Sequence, residues 1–336
     1  MTNRMNFGDE LLFAAHERLL GRRLAHLPIG GRNRLLRLRS ALGSRTPLLL
    51  GGGTLIGRPA YRRALEAGLD VGRDPTIAVL GAGVSAPAAT GKSSLDELRA
   101  WRPVLERMPV VRVRGPRSRR YLADIGVDSV IVGDPALALL RPLASAEPRP
   151  AEDPRAGRVR IGVNVARVRA MGSTEPEILA CLGSIAAAAP HAVEVIVLCA
   201  APYDRSAAGR FAAATMEAGL ARSTARVVEL PRCDHRDLRQ LFGSLSLVIG
   251  VRLHVLVAAA ALGVPAVALA YEDKCWDFQD SVSATGATID LASVDRDWLS
   301  DRIVAGLADQ RPDPAVDLAV DGLVRAQHDA AADVIA

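Results

Sequence analysis

Residues 246–278 read SLVIGVRLHVLVAAAALGVPAVALAYEDKCWDF. The apolar run Leu247–Gly250 fits a buried strand, and Val255–Ala261 is an uncharged run with the length of a helix. Gly263-Val264-Pro265 ends that helix, and Ala266–Tyr271 has the composition of the next strand. Glu272-Asp273-Lys274 follows directly, at the carboxyl end of a strand, where open α/β sheets place their ligands. The stretch is therefore a β-α-β unit with Arg252 and His254 at the first turn of its helix and Lys274 after its second strand. All three are expected at one edge of the sheet. Burial on every side accounts for the apolar helix but not for a guanidinium and an imidazole at its lip. A helix start already favours anions through its free N–H groups and dipole, so the added Arg, His and Lys predict an anion site. The plainer alternative is a solvated Arg252, a His254 capping a core helix and a surface Lys274.

The same alternation runs through the rest of the chain. In the first half, strands are predicted at 47–50, 76–80, 110–113 and 129–132, and helices over 11–20, 59–67, 94–101 and 119–125. Gly51-Gly52-Gly53 and Gly81-Ala82-Gly83 fall at strand-to-helix turns, where small residues permit a close backbone approach. The strand at 110–113 delivers Arg114 and Arg117 to its carboxyl end. Residues 141–158, RPLASAEPRPAEDPRAGR, hold four prolines and no apolar periodicity, which marks a linker. Beyond it, strands at 160–165, 193–198, 226–229 and 288–291 alternate with helices at 173–189, 204–219, 234–242 and 295–309, and a last helix covers 317–335. The pattern predicts a domain at 1–142, a linker at 143–158, a second domain at 159–312 and a C-terminal helix at 313–336. Each domain would be doubly wound about a mostly parallel sheet. Asn164 and Arg167 lie at the end of the second domain's first strand, where they can touch phosphate or acceptor, or simply brace a turn.

A chain of 336 residues is long enough for two domains, each with its own core. Apolar residues at 49% and charged residues at 24% give a soluble, globular balance. The net charge of +5 is uneven: Arg18, Arg22, Arg23, Arg32, Arg34, Arg37, Arg39 and Arg45 crowd the first 45 residues. Such a cluster can meet a polyanion or an anionic membrane, or be no more than a solvated basic face. With no recognisable motif and no interleaved aromatics, nucleic acid ranks last among its partners. Cys181, Cys199, Cys233 and Cys275 have no C-x-x-C spacing and read as reduced thiols. No stretch reads as a signal peptide. The longest uncharged run, Val255–Tyr271, has 17 residues, is broken by Gly263 and Pro265, and falls short of a membrane span. A cytoplasmic protein is expected, with peripheral contact at the inner face of the membrane through the Arg18–Arg45 region. The spacings of His, Cys and carboxylates suggest no metal site, and neither a complete G-x-G-x-x-G nor a P-loop is present.

Taken in order, R-L-H, an apolar helix, G-V-P, a strand and Y-x-x-K resemble the C-terminal signature of the polysaccharide pyruvyl transferase family. Asn6-Phe7-Gly8-Asp9-Glu10 resembles the family's opening N-x-G-D-E, and Gly51-Gly52-Gly53 its glycine-rich turn. Val113-Arg114-Gly115-Pro116-Arg117-Ser118 resembles its R-D-x-x-S segment, and Gly133-Asp134-Pro135-Ala136 its D-P-A. Two departures stand out. Gly115 replaces the family's Asp, so that carboxylate's task is absent or supplied elsewhere. Only five residues precede Asn6, where family members carry a strand, so that strand is expected to lie upstream or to be missing.

The resemblance implies a GT-B-like α/β fold with two Rossmann-like domains facing a cleft. It implies transfer of the pyruvyl group of phosphoenolpyruvate to hydroxyls of a hexose in a cell-surface polysaccharide or glycolipid precursor. Phosphoenolpyruvate would be a co-substrate, with no cofactor, and the sugar acceptor could be lipid-linked. His254 would be the acid, because imidazole titrates near neutrality and nearby anions would hold its proton, while the helix dipole pushes the other way. Arg252, Lys274 and an Arg114 reaching across from the first domain would bind anionic groups, with Leu253 lining the pocket. Asp9, Glu10, Gly52 and Gly53 would form the acceptor side, and the base stays open among Asp9, Glu10, Glu272 and Asp273. A nucleotide-sugar glycosyltransferase on the same architecture and a non-catalytic glycan-binding relative are the alternatives.

Overall fold

The computed structural model describes residues 6–25, 48–71, 77–87, 93–145, 159–188, 193–218, 225–309 and 313–335. The first half begins with α1 (Phe7–Leu20), then β1 (Leu48–Leu50), β2 (Gly53–Ile56), α2 (Pro59–Val71), β3 (Ile77–Val79) and β4 (Ala82–Val84). It continues with α3 (Leu95–Leu105), β5 (Arg112–Val113), α4 (Pro116–Ala123), β6 (Val130–Ile131) and α5 (Ala136–Ser145). Its strands are all parallel, β1 with β3 and then β2-β4-β5-β6 in sequence order, around a core centred on Trp101 and Leu122.

The second half holds β7 (Val159–Val163), α6 (Met171–Ala188), β8 (Val193–Cys199), α7 (Arg205–Glu217), β9 (Ala225–Glu229), α8 (His235–Gly243) and β10 (Leu247–Gly250). It closes with α9 (Leu253–Ala261), β11 (Ala266–Ala270), α10 (Asp273–Ser281), β12 (Thr288–Asp290), α11 (Arg296–Asp309) and α12 (Pro314–Ile335). The sheet is six-stranded and parallel, in the order β12-β11-β10-β7-β8-β9. Its order reverses between β7 and β10, which is where such sheets open a crevice. The β-α-β reading of residues 246–278 thus describes β10, α9 and β11.

The apolar character of α9 follows from its neighbours. One side lies on the sheet, while α5 of the first half and α12 cover the rest, in a core shared with Phe7, Leu11 and Ala15 of α1. The two halves are therefore joined by packed helices as well as by the chain. The C-terminal helix α12 returns to the first half, where buried Gln327 donates from Nε2 to the carbonyls of Val132 (2.9 Å) and Asp134 (2.8 Å). Its Oε1 accepts from the N–H of Ala138 at 3.1 Å. Those bonds fix the loop between β6 and α5.

Two helices and two short strands are additions to the sequence expectations; β2 begins at Gly53 and β4 at Ala82, within the glycine stretches expected as strand-to-helix turns. α5 opens at Asp134-Pro135, an N-cap-like residue and a proline that suit a helix start, and runs through Pro142 to Ser145. Residues 143–145, expected in the linker, are therefore helical, and residues 146–158 lie outside those described. Lys274, expected after the second strand of the 246–278 unit, stands in the first turn of α10. Arg18, Arg22 and Arg23 of the basic region are described; Arg32, Arg34, Arg37, Arg39 and Arg45 lie outside the described residues, as does any strand before Asn6. Among the described residues no helix is long and apolar enough to cross a membrane.

Candidate active site

Four strand ends of the second half converge at the crevice. Asn164 follows β7, Asp204 follows β8, Arg252 follows β10 and Tyr271 follows β11. Asn164 is fully buried; its Oδ1 accepts from the N–H groups of Val251 (3.3 Å) and Arg252 (2.8 Å), and its Nδ2 donates to Leu198 O (2.7 Å). Of its two expected roles, substrate contact or bracing a turn, these bonds match the second: the side chain holds the β10–α9 turn against β7 and β8.

Arg252 meets the buried carboxylate of Asp204 through two bonds, Nε to Oδ2 at 2.9 Å and Nη2 to Oδ1 at 2.7 Å. Its Nη1 donates to Tyr271 Oη at 3.2 Å, and the Tyr203 ring lies 5.1 Å from the guanidinium carbon. Burial works against the Arg252 charge, but the hydrogen bond to Asp204, the tyrosines and the Asp204 charge outweigh it and raise the pKa. The arginine is permanently charged, yet already neutralised by a carboxylate that sequence reasoning did not single out. The backbone N–H of Arg167 also donates to Asp204, at 2.9 Å, while its side chain lines an open concavity with Arg169, Glu175 and Arg210.

His254 stands on the first turn of α9 with its ring against Gly8 of α1. A Cβ on Gly8 would overlap the imidazole at Nδ1, so the glycine of the N-x-G-D-E segment is a packing requirement of the histidine. The other ring nitrogen, Nε2, lies 3.6 Å from Asp134 Oδ2. Burial, the largest influence, lowers the histidine pKa; Asp134 raises it, Arg114 lowers it, Asp9 raises it and Lys274 lowers it. The surrounding anions therefore do not by themselves hold the proton on His254, because the loss of water weighs more. Asp9 is exposed and Glu10 half-buried in the first turn of α1, which Asn6 caps by accepting from Gly8 N–H at 3.1 Å.

Lys274 reaches Glu272 Oε2 at 2.7 Å and lies 4.7 Å from the Tyr271 ring centroid. Burial opposes its charge, but Tyr271, Glu272 and Cys275 outweigh that and raise its pKa. It lines a small crevice between the halves, formed by Thr54, Arg58 and residues 84–86 on one side and residues 272–274 on the other. Arg114 crosses the same junction. Its side chain is fully buried, with Nε 3.3 Å from Asp277 Oδ2 on α10, Nη2 3.5 Å from Thr54 Oγ1, and no partner for Nη1. Asp277 also accepts from Ser118 N–H (3.0 Å) and Ser118 Oγ (2.7 Å). A Cβ on Gly115 would overlap Asp277. The carboxylate missing from position 115 is thus matched by one arriving from the opposite half.

The remaining expectations divide. Leu253 is buried in the shared core rather than forming a pocket wall, because helix α9 is covered on that side. Gly52 and Gly53 lie against Leu12 of α1; a side chain on Gly52 would overlap it, and Gly53 has φ +94°. These glycines seat α1 on the strand. Asp273 is held by Arg117 (2.7 Å) and Tyr121 (3.2 Å), and Glu272 by Lys274. Buried His16 is structural: its ring nitrogens lie 2.6 Å from Leu12 O and 3.0 Å from Leu80 O. The residues missed from sequence are the carboxylates Asp134, Asp204 and Asp277. Asp134 lay in a quoted motif without a role, and the only signal for the others was a lone acid near a strand end or on a short helix. Among the described residues no group of three or more His, Cys, Asp and Glu could hold a metal ion.

Two parallel-stranded halves with a switch-point crevice define a GT-B-type α/β architecture, and solved structures bear this out. A provisionally assigned UDP-N-acetylglucosamine 2-epimerase from Listeria monocytogenes superposes with TM-score 0.59 at 14% identity, covering 94% of this chain and 87% of that one. A UDP-GlcNAc 2-epimerase from Methanocaldococcus jannaschii, in complex with UDP-GlcNAc and UDP, gives 0.54 at 13%, covering 96% and 89%. The UDP-forming α,α-trehalose-phosphate synthase of Burkholderia vietnamiensis gives 0.53 at 12%, covering 99% and 81%. At such identities the likeness is one of fold. The sequence itself is more specific: the polysaccharide pyruvyl transferase model matches residues 6–215 and 220–273, and the chain belongs to that family. A search of curated proteins returns no match.

Proposed function

We propose that the protein transfers the pyruvyl group of phosphoenolpyruvate to two hydroxyls of a hexose in a cell-surface polysaccharide or glycolipid precursor, forming a ketal and releasing phosphate. The observation that carries this reading is the convergence of one titratable imidazole, His254, with Arg114 and Lys274 at a junction of two domains. Protonation of the enol carbon needs an acid, and His254 is the group there whose ordinary pKa lies nearest neutrality. Its pKa is depressed in the free protein, and the negative charges of phosphoenolpyruvate would restore its proton on binding.

The proton adds to the methylene carbon of phosphoenolpyruvate and leaves a cation at C2. A sugar hydroxyl attacks C2 and loses its proton to a base. Departure of phosphate regenerates a cation, which the second hydroxyl closes to the ketal with loss of another proton. Arg114 Nη1, a buried donor with no partner, supports the binding of a carboxylate or phosphate oxygen at the junction. Lys274 adds a second cation. Arg252, neutralised by Asp204, serves chiefly to shape the crevice and contributes only its remaining N–H groups. Asp9, exposed and close enough for its charge to be felt by His254 and Tyr203, is the base this reading favours.

The reading is tested by incubating the protein with phosphoenolpyruvate and a panel of hexose acceptors, lipid-linked ones included, and seeking the ketal by mass spectrometry. UDP-sugars serve as rival donors. A pyruvylated acceptor supports the proposal. Transfer of a hexose from a UDP-sugar in its place would make the protein a glycosyltransferase.

A further inference from the structure

Among the described residues three aspartates have almost no exposed surface: Asp134, Asp204 and Asp277. A buried carboxylate is costly unless paired. Asp204 is paired with Arg252 and Asp277 with Arg114. Among the described residues the only basic side chain within ion-pair distance of Asp134 is His254, which is charged only when protonated. Asp134 Oδ1 accepts from Ala136 N–H at 3.1 Å, but its Oδ2 is buried without a hydrogen bond, and so is His254 Nε2, 3.6 Å away. A potential donor and an acceptor, each lacking any other partner, thus face each other just beyond bonding distance.

The mounting of the two groups favours a fixed geometry. Asp134 sits on the loop that Gln327 of α12 pins through two carbonyls, one of them Asp134's own. His254 is held on its other side by Gly8, where no side chain has room. The pair lies between the helix that carries the histidine and the opposite half of the molecule.

We propose that Asp134 is a positioning residue for His254, accepting the Nε2–H bond and fixing the ring. This rests on the acid role given to His254 above. The charged groups facing the imidazole are Asp134, Asp9, Arg114 and Lys274. Two are cations that resist its protonation, so Asp134 is the fixed, buried charge that offsets them. No bond to carbon is made by Asp134.

The test is the titration of the His254 imidazole by NMR in the full-length protein, its resonance identified with His254→Gln, in wild type and Asp134→Asn. The asparagine keeps the shape and the bond to Ala136 while removing the charge. The midpoint is expected to fall by about one pH unit or more, and the alkaline decline of phosphoenolpyruvate-dependent phosphate release should move down with it. If Asp134→Asn does not fold, Asp134→Ser, which can also accept from Ala136 N–H, takes its place. An unchanged His254 midpoint in the folded variant would overturn the proposal. A wild type that releases no phosphate would count against the reaction, while the NMR midpoints would still decide the pairing.

Discussion

Arg252 and Arg114 are two buried arginines at the same crevice, and they are built differently. Arg252 meets Asp204 within one domain through two short bonds, and Tyr271 takes a third. Arg114 meets Asp277 across the junction through a single 3.3 Å contact and keeps one terminal nitrogen, Nη1, without an acceptor. Parallel bonds from a guanidinium to a carboxylate fix orientation, so Arg252 is part of the scaffold. A buried donor left open costs free energy that an incoming anion would recover, so under the proposed function Arg114 is the arginine assigned to substrate. Sequence reasoning gave Arg252 the firmer substrate role; the proposed function gives it to Arg114.

The comparison breaks most sharply on removal of Arg114. Arg114→Met leaves Asp277 buried with only Ser118, and loss of one partner of a buried pair costs about 3–5 kcal/mol. Urea unfolding should show a matching fall in midpoint, with loss of phosphoenolpyruvate binding. Asp204→Asn should cost less, about 2–3 kcal/mol, because the Arg252 side chain keeps 17% of its surface in solvent. That variant should retain some phosphoenolpyruvate binding, measurable by calorimetry. Equal loss of binding in the two variants would erase the distinction drawn here.

Gly115→Ala sharpens the comparison from the side of the junction. Its methyl must displace the carboxylate or backbone of Asp277, at a cost of about 1–3 kcal/mol by overpacking. The Arg252 pair should be untouched, which a crystal structure of the variant would show.

How far the sequence was legible follows from what each residue responds to. The alternation of apolar runs and turns gave the parallel order of both halves, because strands buried on both faces read as continuous apolar stretches. Helix α10 was hidden because Asp273, Lys274, Asp277, Gln279 and Asp280 make it polar, and three of them, Asp273, Asp277 and Asp280, build the junction with α4. His254 and Gly8 were legible as parts of separate motifs, but their contact spans more than two hundred residues and leaves no local signature. Asp204 and Asp277 were invisible for the same reason: a carboxylate's pairing is a tertiary fact. Asn164 was placed correctly on its strand end, yet a buried amide that bonds three backbone groups looks in sequence just like one that meets a ligand.

The smallest predicted effects concern pH, and they oppose each other. Burial depresses the pKa of His254 and also of His16, where it outweighs the pull of the Leu80 and Leu12 carbonyls and of Asp134. Both rings have an ordinary value of 6.5, so the unfolded chain binds more protons below it. Their contribution to stability is then present above that value and lost as the pH falls through their lower folded values. Thermal unfolding should therefore occur at progressively lower temperature as pH drops from about 7.5 to about 5.5. Catalysis by protonated His254 should rise over the same descent, until unfolding intervenes.

The most direct test of the central claim is phosphate release from phosphoenolpyruvate, with and without hexose acceptors, in wild type and in His254→Ala. Acceptor-dependent release by the wild type that disappears in the folded variant is the predicted result. Release that survives the substitution would contradict the role of His254 and with it the site described here.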